Sequence, residues 1–310
     1  MKTKLVTSYY ALHNGNPYWG QNGRDRWYKY SLACLCGMGV DIVCYTDPGD
    51  LGYNQLVELK DRFQLDNLTI KIYDISTNPY QDRVHKIRMS NEEKYNNPMH
   101  LQHYVRSPQI YWMKYHFLEM ENEPNINLYW IDAGVSHTGL FPPSASKYYE
   151  IEGYEDYYKN SPEGFLPHEH EYYWFDKAFT PATIERINNF ADGKIVNLYR
   201  YGTTDNNFHE FNENIKEQPE YEGVYVVAGF FGGNSNVMTQ YLIDSKELVE
   251  RCLSTEDYIC TEQEIMTYLN AKDRSKFTNF KFDTFYHEGW SNIYQPEMIS
   301  FSHFFLKELK

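Results

Sequence analysis

The sequence predicts an α/β fold in which helices flank a mostly parallel β-sheet. Short apolar runs typical of buried strands alternate with longer segments in which apolar residues recur at helical spacing. The run 40–47 is apolar almost throughout, as expected for a strand that is covered on both faces. The chain has 310 residues, of which 42% are hydrophobic, so it can bury a large core.

The predicted elements follow one another in an alternating order. We expect strands at residues 4–10, 40–47, 68–73, 127–133 and 224–233. We expect helices at residues 24–38, 51–63, 107–121, 236–252 and 261–270, and the pattern of 107–121 predicts an amphipathic helix. No repeat or linker is evident, which favours a single domain over residues 1–310. Residues 143–222 are crowded with Tyr, Glu and His and predict an irregular insertion over the face that carries the site.

Bulk properties exclude several classes of protein. The net charge of −14 argues against nucleic-acid binding, which usually needs a basic face. No apolar run of about 18 residues occurs, so no membrane span is expected. The first residues lack the pattern of a signal peptide, and the five cysteines form no CxxC pair. We therefore expect a cytoplasmic protein, with peripheral attachment to the inner membrane as the alternative.

The first candidate for chemistry is the end of the predicted strand 127–133. An apolar strand there delivers one carboxylate, Asp132, followed by the small residues Ala133 and Gly134 and then by His137. A carboxylate at a strand end can bind a divalent cation, and small residues let a diphosphate approach closely. A residue that merely caps a turn is the alternative for Asp132.

Two further segments are unusual for their positions. Glycines on both sides of Phe231, namely Gly229 and the pair Gly232–Gly233, suggest a backbone pressed against a ligand, or else a strand bulge. Glu262 opens the predicted helix 261–270, where a carboxylate suits the helix dipole and could also serve as a base. On a helical wheel Glu262 falls on the core side and Glu264 on the solvent side.

Six dispersed segments resemble the HtrL/YibB-type family of bacterial glycosyltransferases. The matching segments are residues 5–10, 44–47, 111–118, 129–134 followed by His137, 228–233 and 262–265. The resemblance implies a GT-A-like, Rossmann-related fold and a nucleotide-sugar donor, with UDP as the expected nucleotide. It also implies transfer of the sugar to a glycan or a lipid-linked glycan.

The resemblance assigns roles to particular residues. Asp132 would stabilise the leaving diphosphate, and Glu262 would act as the base on the acceptor hydroxyl if the reaction inverts. If the reaction retains the configuration, no base is required and Glu262 would only orient the sugar. The donor would be bound by Tyr9, Tyr10, Thr46, Asp47, Arg106, Lys114, Ala133 and Gly134, of which Arg106 and Lys114 would neutralise the diphosphate. The acceptor would be bound by His137, Phe231, Gly232 and Gly233.

The metal site departs from the pattern of GT-A enzymes, which usually carry Asp-x-Asp. Here Gly134 occupies the third position, and one Asp binds a metal more weakly than two. His287 is the expected second ligand, so that Asp132, His287 and diphosphate oxygens would hold Mn²⁺ or Mg²⁺. Metal dependence is left open at this point.

Three other functions remain open from the sequence. A glycoside hydrolase also uses two carboxylates. A phage-type glycosyltransferase acting on modified DNA bases would share the donor chemistry, although its acceptor site should be basic. A non-catalytic glycan-binding protein would not turn over a donor at all.

Overall fold

The computed structural model describes residues 1–10, 32, 36, 40–90, 107–133, 181–201, 224–256 and 258–281. Seven strands lie in one sheet in the order β3-β2-β1-β4-β6-β5-β7. They are β1 (Lys2–Tyr9), β2 (Ile42–Thr46), β3 (Leu68–Ile72), β4 (Ile126–Ile131), β5 (Ile195–Tyr201), β6 (Val224–Asn234) and β7 (Phe277–Lys281). Strand β6 runs antiparallel to both neighbours, and the other paired strands are parallel. The predicted α/β class with a mostly parallel sheet is confirmed.

Six α-helices accompany the sheet in the described part of the chain. They are α1 (Gln55–Phe63), α2 (Gln81–Ser90), α3 (Ser107–Glu121), α4 (Pro181–Ala191), α5 (Ser235–Ser254) and α6 (Glu262–Lys272). None of these described helices is both long and apolar enough to cross a membrane. Of the predicted helix 24–38, only Leu32 and Cys36 are described, and both are helical and buried.

Helix α3 is buried on nearly all sides, so the prediction of an amphipathic helix was wrong. Trp112, Met113, Lys114 and Tyr115 follow one another around the helix axis, and each is buried. The cause is a third layer, because α3 contacts β1 and β4 on one side and α5 on the other. Within this packing Lys114 is buried and faces the end of β4, the bulge of β6 and the start of α6.

The predicted irregular insertion 143–222 is wrong for residues 181–201, which form α4 and β5. Strand β5 is an inner strand of the sheet between β6 and β7. A signal was available in the sequence, because Pro181 suits the first turn of a helix and residues 195–201 alternate in a strand-like way. The rest of 143–222, and the arrangement of the chain as one domain, lie outside what the described residues test.

Strand β6 carries a bulge at its centre. Its pairing with β5 jumps from Asn197–Phe231 to Leu198–Val227, so Ala228, Gly229 and Phe230 bulge from that ladder. Its pairing with β4 continues without a shift from Asn127–Asn234 to Ile131–Phe230. A bulge of this kind redirects backbone groups away from the ladder. Here the Gly229 carbonyl accepts from the Asp132 amide at 2.9 Å, and the Ala228 carbonyl accepts from Lys114 Nζ at 3.3 Å.

The order of the strands reverses beside β1. From β1 the chain continues to β2 and β3 on one side and then returns to β4 on the other side. In open α/β sheets, ligands bind outside the carboxyl ends of the strands at such a reversal. The ends of β1 and β4 therefore mark the expected binding edge.

Candidate active site

The centre of the candidate site is Lys114, which links two carboxylates. Its Nζ donates to Asp132 Oδ1 and to Glu262 Oε1, both at 2.9 Å, and to the carbonyl oxygen of Ala228 at 3.3 Å. The ammonium also lies 5.3 Å from the centre of the Trp130 ring, within the range of a cation–π contact. Helix α3, strands β4 and β6, and helix α6 thus meet at one cation.

Asp132 follows β4 and is the most exposed of the three charged side chains. Its side chain is 31% exposed, against 5% for Lys114 and 6% for Glu262. Trp130 Nε1 donates to Asp132 Oδ1 at 2.6 Å, and the Asp132 amide donates to the Gly229 carbonyl at 2.9 Å. Both described hydrogen bonds to the carboxylate reach Oδ1, which leaves Oδ2 without a donor among the described residues.

Glu262 is fixed by the start of α6. Thr261 is the N-cap of this helix and forms a capping box with Glu264. Tyr115 Oη donates to the Glu262 carbonyl at 3.2 Å, and Trp112 Nε1 donates to the Cys260 carbonyl at 3.1 Å. Helix α3 therefore holds the start of α6 through its backbone as well as through Lys114.

The two carboxylates keep Lys114 charged despite its burial. Burial alone lowers the pKa of this lysine, but the negative charges of Asp132 and Glu262 outweigh that effect and hold the pKa above its ordinary value. The three ionised side chains carry one net negative charge. A buried ion pair of this kind is tolerated because each charge has a partner.

Glu264 contradicts the prediction of a solvated side chain. It is 1% exposed, and its carboxylate accepts from Tyr258 Oη and from the Thr261 amide, each at 2.5 Å. A helical wheel considers only the residues of the helix, so it placed Glu264 in solvent. In the structure the loop before α6, in which Tyr258 and Cys260 are buried, covers that side of the helix. Glu262 was correctly predicted to lie on the core side.

The predicted donor-binding residues at the ends of β1 and β2 do lie at the edge of the sheet where a ligand is expected. Tyr9 pairs in register with Thr46, and Asp47 follows directly. Tyr9, Tyr10 and Thr46 are buried, however, and the Tyr10 hydroxyl donates to the Tyr73 carbonyl at 3.1 Å. Asp47 is half-buried, and its Oδ1 accepts from the Ile75 amide at 3.0 Å. It is the member of this group best placed to meet a ligand.

Phe231, Gly232 and Gly233 do not belong to the site, which corrects their predicted role in acceptor binding. Phe231 is completely buried in the core. Because β6 is antiparallel, Gly232 and Gly233 pair with Tyr129 and Leu128 in the middle of β4, three and four residues before Asp132. A Cβ at Gly232 would lie 2.1 Å from the Leu128 carbonyl oxygen. The glycines therefore permit close packing of the sheet.

Several other predicted site residues lie outside the described residues: Arg106, Gly134, His137 and His287. Ala133 is described and is buried directly after Asp132. Sequence reasoning missed two features of the site, the Trp130 indole that binds Asp132 and the Ala228 carbonyl that binds Lys114. The Trp-Ile-Asp spacing could have indicated the first, because alternate residues of a strand share one face.

A divalent metal does not fit the described residues by themselves. In the part of the chain described here, no three side chains of His, Cys, Asp or Glu converge on a point that could hold one. Asp132 Oδ1 is engaged by Lys114 and Trp130, and Glu262 is engaged by Lys114. We derive no step through a metal, and binding of Mn²⁺ or Mg²⁺ by Asp132 and His287 stays a prediction.

Comparisons of this chain with protein-family models, with curated proteins and with solved structures each found no match. The resemblance to the HtrL/YibB-type family therefore stays a prediction, and the interpretation of the site depends on its geometry.

Proposed function

We propose that this protein is a glycosyltransferase of the GT-A kind, which moves a sugar from a nucleotide-sugar donor to a glycan or lipid-linked acceptor. The observation that carries the proposal is the half-buried carboxylate of Asp132. It lies at the end of β4, beside the reversal of strand order, and a buried lysine keeps it oriented. UDP is the nucleotide that we propose for the donor.

The arrangement of charges favours this function over glycoside hydrolysis. A glycosidase places the sugar between its two carboxylates, so the space between them must be open. Here the Lys114 ammonium occupies that space and contacts both carboxylates at 2.9 Å. Only Asp132 presents a substantial exposed area. One accessible carboxylate beside the reversal of strand order suits a transferase better than a hydrolase.

The proposed roles follow from position. Asp47 at the end of β2 would contact the ribose or the base, and Asp132 would accept a hydrogen bond from a hydroxyl group of the substrate. The buried Tyr9, Tyr10 and Thr46 would support that edge from beneath. The net charge of −14 disfavours modified DNA as the acceptor.

Donor binding and turnover test the proposal. A nucleotide or nucleotide sugar at a hundredfold excess over its Kd should stabilise the protein by about 2.7 kcal/mol, which a thermal-shift panel detects. Asp132→Asn should lower turnover of the bound donor by about 10²- to 10⁴-fold. The variant should fold with a lower Tm, because buried Lys114 loses one of its two anionic partners and keeps Glu262, so turnover is measured well below the Tm of the variant.

Asp66→Asn is the matched control, because Asp66 is an exposed carboxylate elsewhere on the surface. It should behave like the wild type in both assays. Assays with EDTA and with added Mn²⁺ test the predicted metal separately. A protein that is stabilised by no nucleoside diphosphate and no nucleotide sugar is not the proposed transferase.

A further inference from the structure

We propose that Lys114 and Glu262 are positioning residues and that Asp132 is the one member of this group of three that contacts the substrate. The inference rests on the proposed function for the identity of the substrate. It removes Lys114 from diphosphate binding and Glu262 from the role of base, the roles that the family resemblance implied.

Lys114 uses all of its hydrogen-bond donors within the protein. A lysine ammonium has three donors. Asp132, Glu262 and the Ala228 carbonyl accept one each, at 2.9, 2.9 and 3.3 Å. With its side chain only 5% exposed, Lys114 has no remaining donor and no open side for a diphosphate.

Glu262 is buried beside Lys114, which makes it a poor base. Its carboxylate is 6% exposed and neutralises part of the charge of Lys114. If Glu262 accepted a proton, Lys114 would lose one of its two anionic partners inside the protein, which is unfavourable. The capping box of α6 and the hydrogen bond from Tyr115 Oη to the Glu262 carbonyl also hold the backbone at this residue.

The two oxygens of the Asp132 carboxylate have different surroundings. Lys114 and Trp130 both donate to Oδ1, which fixes the plane of the carboxylate. Oδ2 has no donor among the described residues, and the side chain is 31% exposed. A group held on one oxygen and open on the other is positioned to accept a hydrogen bond from a sugar hydroxyl.

Separate measurements of the Kd for UDP and of the turnover of the UDP-sugar test whether Lys114 positions Asp132 or binds the diphosphate. In Lys114→Met, the Kd for UDP should stay within about threefold of the wild type, while turnover of the UDP-sugar falls by about 10²-fold. If Lys114 bound the diphosphate, losing a charge-assisted hydrogen bond would weaken UDP binding by about 10- to 100-fold. That result would overturn the proposal. Glu262→Gln should follow the same split, and it keeps the shape of the side chain should Lys114→Met fold poorly.

Lys4→Met is the control for a general loss of stability. Lys4 also pairs with a buried carboxylate of α3, Glu121, which lies seven residues and about 10 Å along the helix from Lys114. This variant should bind UDP and turn over its donor like the wild type. A loss of turnover in Lys4→Met equal to that in Lys114→Met would assign both losses to stability and overturn the positioning role.

The Trp130 indole gives a readout that needs no substrate. Its N–H donates to Asp132 Oδ1, so its NMR resonance reports the position of that oxygen. Among the six tryptophans, Trp130→Phe identifies the resonance by its disappearance. Glu262→Gln should shift it, because hydrogen bonds connect Glu262 to Trp130 through Lys114 and Asp132, and Lys4→Met should not. An unmoved resonance in Glu262→Gln would refute the positioning role. Failure of the wild type to bind UDP would instead refute UDP as the donor nucleotide, and failure to bind any nucleoside diphosphate or nucleotide sugar would refute the proposed function. In either case the Trp130 resonance would still decide the positioning role.

Discussion

A buried carboxylate is stable in a folded protein only when donors satisfy its oxygens, and Glu264 meets this requirement on both sides. The Tyr258 hydroxyl binds Oε1, and the Thr261 amide binds Oε2. Glu264 thereby joins the loop before α6 to the first turn of the helix. The start of α6, which carries Glu262, depends on this residue.

Glu264→Gln should therefore destabilise the protein by about 1 to 3 kcal/mol, because one donor loses its charged acceptor in a buried place. Urea unfolding at pH 7 measures this loss as a lower midpoint with an unchanged slope. Glu247→Gln on the exposed side of α5 is the control and should be neutral within about 0.5 kcal/mol. Equal stabilities of wild type and Glu264→Gln would contradict the described capping box.

Strand β6 depends on one glycine for its close approach to β4. A Cβ at Gly232 would meet the Leu128 carbonyl oxygen at 2.1 Å and the Tyr129 backbone at 2.7 Å. Both are backbone atoms of an inner strand, so they cannot move aside without breaking the ladder between β4 and β6. A side chain at this position forces the two strands apart.

Gly232→Ala should destabilise the protein by about 3 kcal/mol or more, as expected for overpacking against backbone. Gly193→Ala is a control that separates crowding from backbone strain. Gly193 also has a positive φ of 74°, but a Cβ added there would have its nearest neighbour 4.0 Å away. This variant should lose about 1 kcal/mol from backbone strain alone. Thermal unfolding of both variants gives the comparison, and a smaller loss in Gly232→Ala would contradict the described packing.

Helix α3 is tied to three strands through its last residue, Glu121. The carboxylate accepts from Lys4 of β1, from Tyr45 of β2 at 2.5 Å, and from Lys71 of β3. Burial raises the pKa of Glu121, but these three donors outweigh burial and hold the pKa below its ordinary value. The ionised form is therefore the form that stabilises the fold.

This direction fixes the sign of the pH dependence. A carboxyl whose pKa is lower in the folded state contributes stability above its unfolded pKa of about 4.3, and this contribution is lost as the pH falls through the folded value. Glu121→Gln should cost about 3 kcal/mol at pH 7 and should flatten the acid side of the stability curve. Urea unfolding between pH 3 and 7 checks both effects. Glu123→Gln, which alters the exposed partner of Lys4, should change the curve far less.

At the scale of the whole molecule, the sequence predicted which segments are buried. It predicted the order and direction of the strands only in part. The apolar runs of β2 and β4 indicated inner strands, and all residues of both are buried. The direction of β6 could not be read in the same way, because a buried antiparallel strand has the same apolar pattern as a buried parallel one. For that reason Gly232 and Gly233 were placed at the wrong edge of the sheet.

The sequence predicted which residues form the site, but it did not predict the hydrogen bonds between them. Asp132 was identified from its position after an apolar strand, and Lys114 and Glu262 were assigned to the same edge. Their contacts depend on α3 being buried between the sheet and α5, which no local pattern of residues specifies. A lysine that was expected to meet a diphosphate therefore binds two carboxylates of its own chain.

The thiols test the packing of the core as a whole. Cys36, Cys44, Cys252 and Cys260 are free and buried, and burial raises the pKa of the Cys36 thiol to about 12. Since the thiolate is the reactive form, these four thiols should react with DTNB at pH 8 at least 10²-fold more slowly in the native protein than in urea. Absorbance at the dye's wavelength measures this in a Cys34→Ser background. Rapid release of dye from the native protein would contradict the described core.

The place of β6 between β4 and β5 also determines when the protein can be completed during its synthesis. Both neighbours leave the ribosome before β6 does, and in the finished sheet they are joined only through it. At about 5 to 20 residues per second, the residues between the end of β4 and the start of β6 take roughly 5 to 20 s to appear. During that interval β4 has an unpaired edge of buried-type residues, which favours association with other nascent chains. A chaperone that binds nascent chains at the ribosome and covers this edge should raise the yield of soluble protein more than one that acts after release.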